Sequence, residues 1–253
     1  MTTFDNEQYF SFLINFIFPF SRIIALIFTA PILGDKLVNY KIKILLSLMI
    51  TVLLTPLLPS LNITVIEIHS LLIILQQIVI GIALGLTMQF IFSVTYISGE
   101  MLGLQMGLSF SNFFDINNHN NLSIISHFFN IFIYLFFLSI NGHFFFLDAL
   151  INTFYTIPID KVIFHPNMLL EIVILYNVVF VNGVMLVFPI IFMILILNII
   201  LSLLNRVLPQ ISIFSIVFPI TLLTGIFMLN ILMSMSPIIT NNIFRNLLQL
   251  LIF

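Results

Sequence analysis

Residues 98–121 read SGEMLGLQMGLSFSNFFDINNHNN, and they interrupt a chain that is otherwise almost continuously apolar. Gly99, Gly103 and Gly107 stand four residues apart here, interleaved and followed by Met101, Met106, Leu108, Phe110, Phe113 and Phe114. The stretch closes on Asp115 and the polar run Asn117, Asn118, His119, Asn120 and Asn121. A loop that only tethers two membrane helices is normally short and polar. Bulky apolar side chains on a glycine-hinged backbone suit a movable obstruction. The competing reading is that glycines at this spacing let helices pack closely, as in small-xxx-small contacts. The residues alone leave both open.

Around this stretch, composition sets the class. Hydrophobic residues make up 61% of the 253 residues and charged residues 6%, with a mean hydropathy of +1.27. A soluble domain devotes about a quarter of its residues to charge, so the flanks of this chain require lipid or other protein as cover. An all-α membrane protein follows, read as one unit over residues 1–253. The net charge of −2 offers no basic footprint for nucleic acid. With no cysteine, disulfides and thiolate metal sites are excluded. Met1 to Tyr9 is polar and acidic and lacks the basic start of a signal peptide. The abundance of Phe, Ile and Asn fits AT-rich coding, so phenylalanine counts and asparagine runs carry little functional weight.

Six apolar tracts are expected. In the first, Phe10 to Leu33, Pro19 precedes Arg22; a helix starting at Pro19 would put Arg22 near an end, whereas a helix running through would bury a cation. Arg22 then faces a protein partner or snorkels to headgroups. The second tract, Ile44 to Leu58, ends at Pro56 and Pro59. The third, Leu71 to Ile97, carries Gln76, Gln77, Gly81 and Gly85, which favour helix–helix contact over lipid. The fourth, Ile124 to Leu147, is broken at Asn141-Gly142-His143, and Asp148 to Glu171 reads as a polar connection. The fifth, Ile172 to Leu204, would reach about 50 Å as a straight helix, beyond a hydrocarbon core of about 30 Å. With Pro189 near its middle, it reads as a bent helix or a two-part hairpin. The sixth, Ile211 to Met233, contains Pro219 and Gly225, and Asn241 to Phe253 forms a short amphipathic tail. Lys36, Lys41, Lys43 and Arg206 on one side outnumber Lys161 and Arg245 on the other, favouring the Lys36 side as cytoplasmic.

Catalytic signatures are weak. His119 and His127 lack partners at metal-ligand spacing, and no phosphate loop, dinucleotide fingerprint or cofactor motif occurs. Gly107-Leu108-Ser109-Phe110 with a later histidine is similar to an intramembrane serine protease in three letters only. A small-solute transporter would carry several intramembrane ionisable residues, and Arg22 is the one candidate. Asn residues and internal prolines in nearly every tract are tolerated where protein covers them and poorly against lipid.

The motifs together resemble the FliR family of flagellar export proteins, whose virulence-secretion relatives are called SctT. Gly99-Glu100 through Asp115, GEMLGLQMGLSFSNFFD, matches a family pattern close to GExxGxQMGLSFAxxxDP, with Ile116 in place of the final proline. Asn141-Gly142-His143 with Leu150, Thr153-Phe154 and Pro158 match a second block. Arg206, Pro209, Gln210 and Ile213, followed by Phe218-Pro219 and Leu223 to Gly225, match a third, with Val217 where the family has glycine. Arg22 with Pro31, and Pro56 with Pro59, also match.

The resemblance implies a non-enzymatic subunit of the type III export gate in the bacterial inner membrane, at the flagellar basal body. It implies assembly with FliP-like and FliQ-like subunits, contact with an FlhB-like subunit, and passage of unfolded substrates. Kinked helical hairpins would pack on these partners as well as on membrane lipid. The segment from Gln105 to Asn121 would plug the channel. In that role Gly103 and Gly107 allow motion, Met106, Leu108, Phe110 and Phe113 fill the opening, and Asp115 is wetted. Glu100 would fix the base of the loop by pairing with a partner subunit, or stand as a solvated loop acid.

Overall fold

The computed structural model describes residues 6–58, 68–108, 123–159, 166–207 and 217–230. These are helical, with no strand among them: α1 (Asn6–Thr29), α2 (Tyr40–Leu54), α3 (Ile68–Gln105), α4 (Ile124–Ser139), α5 (Gly142–Thr156), α6 (Pro166–Val207) and α7 (Val217–Asn230). A 3-10 turn, Thr55–Leu57, closes α2 where Pro56 forbids a further α-helical bond. Among the described residues, three helices are long and apolar enough to cross a membrane.

Several boundaries differ from the sequence expectation. α1 runs through Pro19 instead of starting there, so Arg22 sits inside a helix. α3 does not stop at Ile97; it continues through Gly99 and Gly103 to Gln105, a length of about 57 Å for its 38 residues. Asp148 is helical, since α5 carries on to Thr156. The fifth tract is one continuous 42-residue helix with Pro189 inside it, which removes the two-part hairpin. Burial accounts for α1 and α3: a helix whose apolar neighbours already cover it tolerates a proline or glycine that would end an isolated one. The amphipathic tail lies outside the described residues.

The chain resolves into two compact units, each drawn from separate stretches. The first comprises residues 1–90, 141–175 and 246–253; the second comprises 91–140 and 176–245.

In the first unit Phe18, Ile23, Leu26, Ile27, Ile80, Leu84, Leu150 and Phe154 form the buried core. Gly81 and Gly85 allow α3 to approach α1. A Cβ on Gly81 would come within 2.9 Å of Ala25 Cβ, and one on Gly85 within 2.6 Å of Thr29 Cβ. α2 turns its small or polar residues Ser47 and Thr51 inward, together with Lys43. The Lys43 ammonium donates to the Gly34 carbonyl at 2.8 Å and lies over the Phe28 ring at 5.4 Å.

In the second unit the core is Leu102, Met106, Ile125, Phe129, Leu186, Val187, Ile190 and Ile194. Here α3 meets α6 through Ser98, whose hydroxyl donates to the Gly183 carbonyl at 2.9 Å. The Asn141 break is a left-handed residue, φ 56° and ψ 35°, a conformation asparagine tolerates better than most side chains.

Replacing Gly85 by valine should separate α1 from α3. The expected cost is about 1–3 kcal/mol, read as a lower unfolding midpoint in mild detergent. An unchanged midpoint would show that the approach is not structural.

Candidate functional site

Each unit holds one polar cluster that its sequence neighbours do not explain. In the first it is built on Arg22, which is fully buried. Its Nε donates to Gln77 Oε1 at 2.7 Å, one terminal nitrogen to Thr153 Oγ1 at 3.2 Å, and the other to the Ile157 carbonyl at 3.0 Å. The guanidinium carbon lies 4.2 Å from the centroid of the Phe154 ring. Arg22 therefore neither ends its helix nor snorkels; it joins α1 to α3 and α5. All four groups around the charge are neutral. The Ile157 carbonyl is one of those that α5 leaves open at its C-terminus, so a planar fork of donors meets acceptors on two helices at once. Thr153 and Phe154 thereby acquire a role that their side-chain types alone did not signal.

The second cluster ties the start of α4 to the last turns of α3. On the α3 side, Met106 N donates to Leu102 O at 2.9 Å, Gly107 N donates to Leu104 O at 3.1 Å, and Gly107 has φ 76°. This is a glycine C-terminal stop. On the α4 side, Ser123 is the N-cap, and its hydroxyl accepts from Ser126 N at 3.1 Å. The Ser123 amide donates to Glu100 Oε1 at 2.8 Å, and its hydroxyl reaches the Gly99 carbonyl at 3.3 Å. In a capping box the acid comes from the third residue of the same helix; here it comes from α3, and its charge faces the positive end of α4. Gly99 makes this possible, because a Cβ there would fall on Ser126 and stand 3.0 Å from its amide nitrogen. Glu100 thus sits in a helix, not a loop, and its tie is made within the chain.

The three glycines divide between the two readings the residues left open. Gly99 serves close helix contact and Gly107 serves the backbone turn. Gly103 is buried within α3. Met106 is 1% exposed. Its side chain occupies the space a Cβ would take on Gly225 of α7, with Met106 Cγ and Sδ both 2.7 Å from that position. Leu108 packs beside it, partly buried. Gln105 is exposed and lines a recess of about 360 Å³ with Asn198 and Ser202.

Ser109, Phe110, Phe113, Phe114 and Asp115 lie outside the described residues, as do Pro209 and Gln210. Asn141 and Gly142 form the start of α5, and the His143 ring lies 4.2 Å from that of Phe144, tilted by 43°. Arg206 is exposed in the last turn of α6, and Pro219 is exposed in the first turn described for α7. Sequence reasoning missed Ser123 and Ser126, although a serine placed just before an apolar helical tract is a legible cap signal. It also missed Gln77 as the partner of Arg22, for which no local signal exists.

The chain matches the family model described as bacterial export proteins, family 1, over residues 13–247. The flagellar biosynthetic protein FliR of Buchnera aphidicola subsp. Baizongia pistaciae is 45% identical over 247 residues, covering 98% of this chain and 96% of the relative. The FliR of Escherichia coli K12 is 40% identical over 246 residues, covering 97% and 94%. The FliR of Aquifex aeolicus is 29% identical over 240 residues, covering 93% and 91%.

Three substitutions probe the clusters. Arg22→Lys keeps the charge but loses the fork; it should leave acceptors bare at roughly 1–3 kcal/mol each and lower the unfolding midpoint in detergent. A midpoint equal to wild type would rule out the node as a brace. Glu100→Ala should speed amide hydrogen exchange in the first turn of α4 about ten- to a hundredfold, in keeping with a lost charge-assisted bond of about 1.5–3 kcal/mol. Glu100→Gln, which keeps an acceptor, should exchange at a rate between the two.

Proposed function

Since the chain belongs to the bacterial export proteins, family 1, we propose that it is a non-enzymatic subunit of the flagellar type III protein export gate. In this reading residues 1–253 act as one gate domain in the bacterial inner membrane, at the basal body. FliP-like and FliQ-like subunits complete the conduit, and an FlhB-like subunit contacts it. The stretch from Gln105 to Asp115 seals that conduit until an unfolded substrate passes.

The observation that carries the reading is the double anchorage of that stretch. Glu100 and Gly99 on α3 hold Ser123 and Ser126 on α4, which fixes the start of α4 against the end of α3. Gly107 turns the chain at their root, and Met106 is seated against Gly225. Apolar side chains raised on a fixed base exclude water and ions at little cost, because pushing them aside breaks no strong directional bond. Arg22, Asn141, Gly142, His143, Arg206, Pro209, Gln210 and Pro219 act in holding the fold and its contacts with partners.

The apolar flank of α6 supports assembly with other subunits. Only 22% of Val173–Leu204 is buried within the chain. At about 48 Å that span exceeds a hydrocarbon core of about 30 Å. Lipid alone does not cover an upright helix of this length, so neighbouring protein covers the remainder.

Replacing Leu108, Phe110 and Phe113 by glycine should raise ion leak across the inner membrane severalfold while the complex still assembles. An assembled gate that leaks no more than wild type would end the sealing hypothesis.

A further inference from the structure

The outward face of α2 differs from the other helix contacts in the first unit. Lys41 and Tyr40 stand exposed at its N-terminal end. From Lys41 a stripe of Ile44, Leu45, Leu48, Met49 and Val52 runs along one side and lines a groove of about 650 Å³. We propose that this groove binds an anionic phospholipid, with the headgroup phosphate on the Lys41 ammonium and an acyl chain along the stripe.

Three observations select lipid over a protein helix. Helices that associate in a membrane meet through small residues. α2 has spent its own on the inward side, where Ser47 and Thr51 are buried. What faces out is branched or flexible and apolar, which suits a chain that conforms to it. The dimensions also agree: Lys41 to Leu53 is twelve residue steps, about 18 Å of helix, against about 15 Å for half a hydrocarbon core. The charge agrees as well. Lys43 is turned inward onto the Gly34 carbonyl, which leaves Lys41 as the cation at the head of the groove. Lys36 is exposed in the preceding connection, and Asp35 beside it accepts from the Leu37 amide. A tyrosine and a lysine at one end of a short apolar helix mark headgroup depth, where each cation near an anionic leaflet adds attraction.

The chain has no tryptophan, so Leu48→Trp introduces a single reporter inside the groove. The full-length variant is placed in vesicles containing equal mole fractions of brominated phosphatidylglycerol or brominated phosphatidylcholine. Quenching should show a two- to fivefold preference for phosphatidylglycerol at the groove, on the order of one lysine's worth of surface attraction. Adding Lys41→Gln should bring the ratio to one while quenching by phosphatidylcholine persists. Phe188→Trp, on the exposed flank of α6, should show no headgroup preference. If Leu48→Trp fails to insert, Met49→Trp reports from the same face. Equal quenching by both lipids with Lys41 present would overturn the proposal. So would an equal preference at position 188, or quenching by neither lipid because protein fills the groove.

Discussion

In an apolar medium, helices gain nothing by hiding greasy surface from one another, since the surroundings are equally greasy. What holds them is close backbone approach and the polar bonds that such approach allows. Each contact that defines this molecule has that form. Gly81 and Gly85 bring α3 onto α1, and only at that separation does Arg22 reach Gln77. Gly99 brings α3 onto the start of α4, and only then can Glu100 cap it. The Gly183 carbonyl receives the Ser98 hydroxyl in the same way. Most of these pairs put a small residue on one helix and a polar bond beside it on the other.

This explains the cost the first unit carries at Arg22. A guanidinium enclosed by protein needs donors matched by acceptors, and here it finds an amide, a hydroxyl, a carbonyl and a ring face. The Gln77 amide nitrogen, on the far side of the same side chain, is buried without an acceptor. Such an orphan costs about 1–3 kcal/mol. The arrangement therefore fixes which helices meet more than it adds stability.

Much of this was legible beforehand, and the misses share a cause. Apolar tracts announced the helices, and Asn141-Gly142 announced the break, because local chemistry decides both. Gly81 and Gly85 were read correctly as contact residues. On sequence alone Gly99, Gly103 and Gly107 leave loop and helix contact both open, since glycine weakens a helix yet lets helices pack closely. Tertiary contact with Ser126 decides it at Gly99, and nothing local encodes that contact. Pro19, which is buried, misled for the same reason. The partner of Arg22 lies 55 residues away, beyond any pattern of spacing.

The seat of Met106 against Gly225 bears on how the chain can change over generations. Two positions that share one volume are not free to drift separately. A larger residue in α7 demands a smaller one at the end of α3, and the reverse holds equally. Lineages of this chain should therefore trade bulk between these positions, and each intermediate that fills both would be selected against.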